Sequence, residues 1–143
     1  MPRIPRAVVD AMIEHARAEL PNEACGMVHA VDGTPSDVHR VTNQAASPYR
    51  YVMDPREMMR LEQRRDDTGE SLFAIYHSHV ASEARPSPTD VRQAFFPPGE
   101  LDLDPMYPET YYILVSLAED PPPVRAFFIR KGGVVEEEPI EVV

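Results

Sequence analysis

The stretch SLFAIYHSH, residues 71–79, and the run SPTD, residues 87–90, decide the fold of this chain. The apolar and aromatic residues of the first stretch predict a buried β-strand over 71–77. Ser87 followed by Pro88 predicts the start of a helix, with serine as the N-cap and proline at the first helical position. Two histidines therefore stand where a strand ends, shortly before a helix begins.

The rest of the chain predicts further helices and strands around this centre. Apolar spacing near 3.6 residues predicts a helix over 6–19, and an N-cap aspartate followed by proline predicts another over 54–67. Apolar or β-branched runs predict strands at 23–31, 38–42, 49–53, 111–117, 124–130 and 134–138, and the helix after Ser87 is expected to reach Phe96. This order predicts one α/β (α+β) domain over residues 1–143, with a central mixed sheet flanked by helices.

The charge of the chain limits its partners. It carries 24 acidic and 14 basic residues, a net charge of −10, so neither nucleic acid nor an anionic membrane is an expected partner. No apolar run approaches the roughly 20 residues that span a bilayer, and no signal-peptide pattern follows the basic N-terminus. The single cysteine, Cys25, excludes an intramolecular disulfide and is expected to be a small buried residue. The cytoplasm is the expected location.

The two histidines point to a metal. His77 and His79 are two residues apart, so their side chains share one face of a strand. Asp90 falls in the first turn of the next helix, and the connecting loop is long enough to bring it beside them. Two histidines and one carboxylate with an open position are a ligand set of catalytic zinc. Two surface histidines near a carboxylate that favours the helix dipole give the same pattern, so the residues alone leave both interpretations open.

Two more residues can complete an active site. Glu23, just before an apolar strand, is a candidate general base, although a surface glutamate would look the same. Ser87 can cap the helix, and its hydroxyl can also donate to an oxyanion at a helix end whose dipole favours negative charge; different atoms of the residue can fill both roles. The remaining histidines, His15, His29 and His39, are expected to be structural or surface residues.

Together these residues resemble a known motif. Glu23, the pair His77 and His79, Ser87 after seven residues and Asp90 three further on match the JAMM (MPN+) metallopeptidase motif in every defined position. The resemblance covers essentially the whole chain and implies a cytidine-deaminase-like fold with one zinc ion per chain. It implies that His77, His79 and Asp90 bind zinc, that Glu23 is the general base and passes the proton to the leaving amine, and that Ser87 stabilises the oxyanion.

Within this family the chain is most similar to the bacterial Mec type. The similarity lies in NEACG (22–26), YHSHVASEA (76–84), PSPTDV (86–91) and EEPIEVV (137–143). It implies hydrolysis after the C-terminal Gly-Gly of a ubiquitin-like sulfur-carrier protein of the ThiS or MoaD kind, which releases cysteine in cysteine biosynthesis. The carrier tail is expected to lie extended beside a sheet edge.

The chain departs from the family pattern in two places. Val80 stands where many members have proline, at a position that is not a ligand. The stretch 95–110 is longer than a minimal domain of this type needs, and we expect it to cover the cleft or to mediate a subunit contact. A homodimer is therefore one arrangement that the sequence leaves open.

Three other functions share parts of the pattern. A broader isopeptidase or desampylase would remove ubiquitin-like modifiers from proteins. A non-catalytic MPN-type scaffold typically lacks the ligands, and this chain keeps all of them. A nucleoside deaminase of related fold needs His-x-Glu with Pro-Cys-x-x-Cys, which a single cysteine cannot supply.

Overall fold

The structure is a computed structural model that describes residues 1–143. In chain order its elements are β1 (Arg3–Ile4), α1 (Arg6–Ala18), β2 (Cys25–Val31), β3 (Thr34–Val41), α2 (Pro55–Thr68), β4 (Ser71–His79), α3 (Pro88–Gln93), β5 (Tyr111–Ser116), β6 (Val124–Arg130), a 3₁₀ turn (Lys131–Gly133), β7 (Val134–Glu138) and β8 (Glu141–Val142). Six strands form one sheet in the spatial order β3-β2-β4-β5-β6-β7, and β1 pairs with β8. None of the helices has the length and apolar character needed to cross a membrane.

Strand β4 lies inside the sheet, with a hydrogen-bonded neighbour on each side. It runs antiparallel to β2, with His77 opposite Cys25, and parallel to β5, with His79 opposite Ser116. All other neighbours in the six-stranded sheet are antiparallel, so the sheet is mixed, as predicted. Both flanks of β4 are paired as far as His77, and the β5 flank is paired as far as His79, so the ladders set the directions of its side chains.

The two faces of the sheet carry separate cores. Helix α1 covers one face and packs Val8, Val9 and Met12 against a cluster that includes Ile113. The opposite face carries Ile75 of β4 and is covered by side chains from α2, α3 and the loop that follows α3. Side chains alternate along a strand, so His77 and His79 lie on the same face as Ile75.

Two predicted strands begin at a different residue in the structure, and a third is absent. Glu23 lies before β2 rather than in it, because its N–H donates to the carbonyl of Ser47 instead of joining a ladder. The predicted strand 49–53 is wrong, since only an isolated bridge joins Asn43 to Met53. Strand β3 begins at Thr34 rather than residue 38, because a tight turn at Asp32 and Gly33, both with positive φ, pairs Val31 with Thr34 directly.

Two elements end two or more residues away from their predicted ends. Helix α3 ends at Gln93 rather than Phe96, because the next loop binds the last carbonyls: Gly99 N–H donates to Arg92 O and Met106 N–H to Ala94 O. Strand β4 extends to His79, two residues beyond the prediction, because the carbonyl of His79 still accepts from the N–H of Leu117. Strands β1 and β8, two residues each, were not predicted.

Candidate metal centre and active site

Three side-chain atoms converge where β4 meets α3. The Nε2 atoms of His77 and His79 are 3.3 Å apart, and Oδ2 of Asp90 lies 3.0 Å from the first and 3.1 Å from the second. All three residues are buried. Ligands about 2.0–2.1 Å from a tetrahedral ion are about 3.3–3.4 Å from one another. The three atoms therefore fit around one metal ion, and the ordinary ligands of zinc are present.

The start of α3 holds Asp90 in this position. The Oγ atom of Ser87 accepts from the N–H of Asp90 at 3.1 Å, and Oδ2 of Asp90 accepts from the N–H of Ser87 at 2.9 Å. The oxygen that faces both imidazoles is thus also part of a capping box. Burial acts to raise the pKa of Asp90, but the two imidazoles and the Ser87 N–H overcome it and hold that pKa well below its usual value. The carboxylate is therefore anionic, as a metal ligand must be.

The two imidazoles are oriented by different contacts. The Nδ1–H of His79 donates to the carbonyl of Glu83 at 2.7 Å, which leaves the Nε2 lone pair directed at Asp90. Nδ1 of His77 is buried without a hydrogen-bond partner, and the ring of Tyr51 lies against this imidazole. Burial lowers the pKa of His77, so its ring is neutral and its nitrogen can bind a cation. Burial also opposes protonation of His79, but Asp90 and the Glu83 carbonyl raise its pKa overall.

Glu23 is buried beside the two histidines. Its side chain is 3% exposed, and its Oε1 atom has no hydrogen-bond partner. Burial raises the pKa of Glu23 to about 7, an effect that the charge of His79 opposes and that of Asp90 increases. A carboxyl group with a free oxygen and a pKa near neutrality can take up a proton and release it again.

An open cavity of about 340 Å³ lies beside these groups. It is lined by Glu23, His79 and Ser87, together with Pro48, Tyr49, Val80, Ala81 and Ser82. His77 and Asp90 contact His79 next to it. The structure thus places all five predicted site residues together. The Oγ lone pair of Ser87 is used by the Asp90 N–H, so its proton is free to face the cavity.

Three residues that support the site were missed by the sequence analysis. Tyr51 packs on His77, Asn43 Nδ2 donates to the carbonyl of Glu23 at 3.0 Å, and Ser78 Oγ accepts from the N–H of Ala24 at 2.8 Å. Asn43 and Tyr51 act across a loop, where no periodicity marks a contact. A serine inside an apolar strand was the one visible signal, because a buried hydroxyl needs a partner.

The single cysteine and the other three histidines do not join the metal set. Cys25 is buried with Sγ 3.5 Å from the carbonyl of Val41, and burial raises the pKa of its thiol to about 12. His15 is buried and its Nδ1 is 2.7 Å from the hydroxyl of Tyr76. His29 is buried with Nε2 3.1 Å from the guanidinium of Arg65, and His39 is half-buried beside it. These three histidines are structural, as expected.

Fold and site together define a metal-dependent hydrolase of the JAMM type. A buried His-His-Asp set at the end of an internal strand, with a glutamate and a serine on the adjoining cavity, is the arrangement that the sequence motif implies. Residues 5–130 match the family described as prokaryotic homologs of the JAB domain, and the chain belongs to this family.

Known relatives agree with this assignment. The CysO-cysteine peptidase of Mycobacterium tuberculosis is 36% identical over 140 residues, which cover 95% of this chain and 87% of that protein. A desampylase of Haloferax volcanii is 33% identical over 95 residues, 62% of this chain and 68% of that protein. The crystal structure of a JAB1/MPN domain protein from Archaeoglobus fulgidus is 20% identical with a TM-score of 0.61, and the similarity covers 100% of this chain and 99% of that one. The last comparison confirms the predicted fold.

Proposed function

We propose that this protein is a zinc-dependent peptidase that cleaves the amide bond after the C-terminal Gly-Gly of a ubiquitin-like sulfur carrier and releases cysteine. One observation carries the proposal: Glu23, His79 and Ser87 line a single open cavity beside the three-atom metal set. The substrate follows from similarity, because a relative with 36% identity over 95% of the chain is a CysO-cysteine peptidase.

His77, His79 and Asp90 would hold the metal. Two imidazoles and a carboxylate at separations of 3.0–3.3 Å suit tetrahedral zinc with one position left open. When bound, zinc supplies a Lewis acid that polarises the scissile carbonyl and lowers the pKa of water.

Glu23 would carry the proton through the reaction. Its carboxylate takes a proton from the attacking water, whose oxygen ends in the new glycine carboxylate. Because its pKa is raised to about 7, Glu23 can then give the proton to the leaving amine, and free cysteine departs. The C–N bond of the amide breaks as this proton arrives, so atoms and charges balance.

Ser87 would stabilise the oxyanion that forms on the scissile carbonyl. Its hydroxyl proton is free, and it stands at the N-terminus of α3, where the helix dipole favours negative charge. The hydroxyl can therefore cap the helix with its lone pair and donate to the substrate with its proton.

The carrier tail would enter between two loops. The free edges of the six-stranded sheet, β3 and β7, contribute no residue to the cavity, which supports this route rather than the sheet edge expected from the sequence. The cavity walls are instead formed by Pro48 and Tyr49 on one loop and by residues 80–82 on another. Glycines have no side chains, so a Gly-Gly tail can approach the buried metal ligands closely.

A second cavity offers a place for an apolar side chain from the folded body of the carrier. It measures about 310 Å³ and is lined by eight hydrophobic residues, among them Val52, Met58, Met106 and Tyr107. Tyr51 belongs to this lining and also contacts His77, so the apolar surface adjoins the metal centre. Two of these residues belong to the long 95–110 stretch, which would thus contact the carrier rather than a second subunit. If the protein forms a dimer in solution that buries Met106, this surface would instead be the contact between two subunits.

The test is hydrolysis of a defined adduct. The host's sulfur carriers, each with cysteine attached to the C-terminal glycine, are incubated with zinc-loaded protein and followed by intact mass. We expect loss of one cysteine residue, and a fall of about 10²–10⁴ in rate for Glu23→Gln with metal content unchanged. Wild-type protein that leaves every adduct intact would exclude this function.

A parallel assay separates the second candidate. The desampylase relative supports a broader isopeptidase, which would cleave carrier–lysine conjugates of proteins at least as fast as the carrier–cysteine adduct. A preference for the cysteine adduct would favour the peptidase, and cleavage of lysine conjugates alone would favour the isopeptidase. Glu23→Gln is the control in both assays, because it removes the base and keeps the three metal ligands.

A further inference from the structure

Asn43 lies outside every helix and strand, yet its side-chain amide makes four hydrogen bonds. Nδ2 donates to the carbonyls of Glu23 at 3.0 Å and Arg50 at 3.1 Å. Oδ1 accepts from the N–H groups of Ala45 and Val52, both at 3.0 Å. An amide side chain has two donors and two acceptor lone pairs, so the full capacity of Asn43 is used.

These bonds close the loop of residues 44–52 around a single side chain. The ends of the loop are also joined by the N–H of Gln44, which donates to the carbonyl of Val52 at 2.8 Å. The loop carries Pro48 and Tyr49, which form one wall of the catalytic cavity, and Tyr51, which lies against His77. Asn43 thus organises one complete side of the active site.

The main chain of Glu23 is hydrogen-bonded to this loop and to Asn43 through its N–H and its carbonyl group. Its N–H donates to the carbonyl of Ser47 at 2.9 Å, and its own carbonyl accepts from Asn43. Its carboxyl group has a buried oxygen without any partner, so no side-chain hydrogen bond to that oxygen fixes it. The position of the carboxyl group therefore depends on the main chain of Glu23.

We propose that Asn43 is a positioning residue for the hydrolytic reaction. The bond from its Nδ2 to the Glu23 carbonyl sets where the Glu23 carboxylate stands relative to the metal ligands. The proposal rests on the proposed function for the role of Glu23 as the base. A misplacement of about 1 Å at a reacting group can cost about 10² in rate, so the effect of losing this bond is measurable.

The Asn43→Asp variant separates the role of the donor nitrogen of the amide from that of its acceptor oxygen. Aspartate has nearly the same shape and keeps both acceptor bonds, to Ala45 and Val52, but it cannot donate to Glu23 or Arg50. The matched control is Gln44→Glu, the same amide-to-acid change on the next residue, which is exposed and makes no side-chain hydrogen bond. Asn43→Ala loses all four bonds, so its stability shows how much these bonds together stabilise the closed loop.

The expected results distinguish positioning from stability. For Asn43→Asp we expect kcat to fall about 10- to 100-fold, with KM and metal content close to those of Gln44→Glu. Assays well below the melting temperature of each variant remove a merely structural effect, which would lower that temperature and leave kcat unchanged. Equal kcat for Asn43→Asp and Gln44→Glu overturns the proposal.

A second measurement does not need activity. The N–H of Glu23 donates to Ser47 in the loop that Asn43 closes, so its hydrogen exchange should be faster in Asn43→Asp, while the amides of Ala45 and Val52, which still donate to the carboxylate, keep their protection. Unchanged protection at Glu23 overturns the inference whether or not a substrate is cleaved. An inactive wild type together with the expected exchange pattern would instead contradict the proposed function.

Discussion

The ring of Tyr51 lies against the imidazole of His77, with ring centroids 4.4 Å apart and planes inclined by 30°. A metal-binding histidine usually donates its second N–H to a carbonyl or carboxylate, and His79 does so to Glu83. Nδ1 of His77 has no such partner. One ligand ring is therefore held by a hydrogen bond and the other by packing.

Removing the packed ring should weaken metal binding. In Tyr51→Leu the His77 imidazole loses its flat neighbour, and we expect zinc affinity to fall about 10-fold, the lower end of the range for groups that support a ligand. Tyr51→Phe keeps the ring and should bind zinc like the wild type. Competition with a chromogenic chelator measures both, and equal affinity for all three proteins would contradict the role given to Tyr51.

The two roles of Ser87 can be separated by two substitutions. Ser87→Ala removes the hydroxyl and the N-cap, so we expect a loss of about 1 kcal/mol of stability and of about 10²–10³ in kcat. Glycine caps a helix almost as well as serine, so Ser87→Gly should lose the rate but only a few tenths of a kcal/mol. Urea unfolding and the carrier assay supply the two values. A Ser87→Gly protein with full activity would leave Ser87 with its capping role alone.

Burial of Glu23 should make metal-free protein less stable as pH rises. Its pKa is about 7 in the fold against an ordinary value of 4.5, so the folded state favours the protonated form. The stability from this group is fully present below about pH 4.5 and is lost as pH rises to about 7. Glu23→Gln cannot ionise, so wild type should lose roughly 3 kcal/mol relative to it over that window. If the free energies of unfolding of wild type and Glu23→Gln change with pH in the same way over this range, Glu23 has an ordinary pKa.

Removing the metal should lower the stability of the wild type but not that of a variant that lacks one metal ligand. Metal at about 1,000 times its Kd adds about 4 kcal/mol, so a chelator should lower the melting temperature by roughly 10 °C. Asp90→Asn keeps an oxygen that can accept from Ser87 N–H but loses the anionic ligand. Its melting temperature should not respond to the chelator. A chelator shift of the same size in both proteins would place the metal elsewhere.

Gly26 in β2 is required because two groups lie too close to it to leave room for a side chain. A Cβ atom there would overlap the hydroxyl of Tyr76 and lie 2.5 Å from the carbonyl of His39. Gly26→Ala should therefore cost about 1–3 kcal/mol in urea unfolding. Tyr76→Phe should not restore the loss, because the His39 carbonyl and the Cε1 atom of the ring, both 2.5 Å from that Cβ position, remain; full restoration would show that the hydroxyl was the only obstacle.

Local signals were sufficient for the elements that contain the metal ligands. The buried run 71–77, the Ser87-Pro88 start of α3 and the alternation between His77 and His79 all act within a few residues, and the structure has them where they were expected. Gly69 ends α2 with a left-handed φ of 76°, which glycine adopts without strain. Such features are readable because sequence neighbours alone cause them.

The parts that could not be predicted depend on contacts between distant segments. Residues 49–53 have β-forming side chains, but Asn43 binds their loop on both sides and leaves no strand to pair with. Helix α3 ends early because a loop that returns from Gly99 and Met106 takes its carbonyls. Nothing in the local sequence of either segment reports the partner that overrides its propensity.

The chain between the ligands cannot change length freely at every point. One inserted residue between His77 and His79 would turn an imidazole to the opposite face of the sheet, and one between Ser87 and Asp90 would open the cap that aims the carboxylate. Between Glu83, whose carbonyl holds His79, and Ser87 the chain forms no helix or strand, but Ala84 is buried against Leu114 and Phe127. An insertion at 84–86 would therefore pull a buried side chain out of the core beside the carbonyl that holds His79, so the run from His77 to Asp90 has a fixed length.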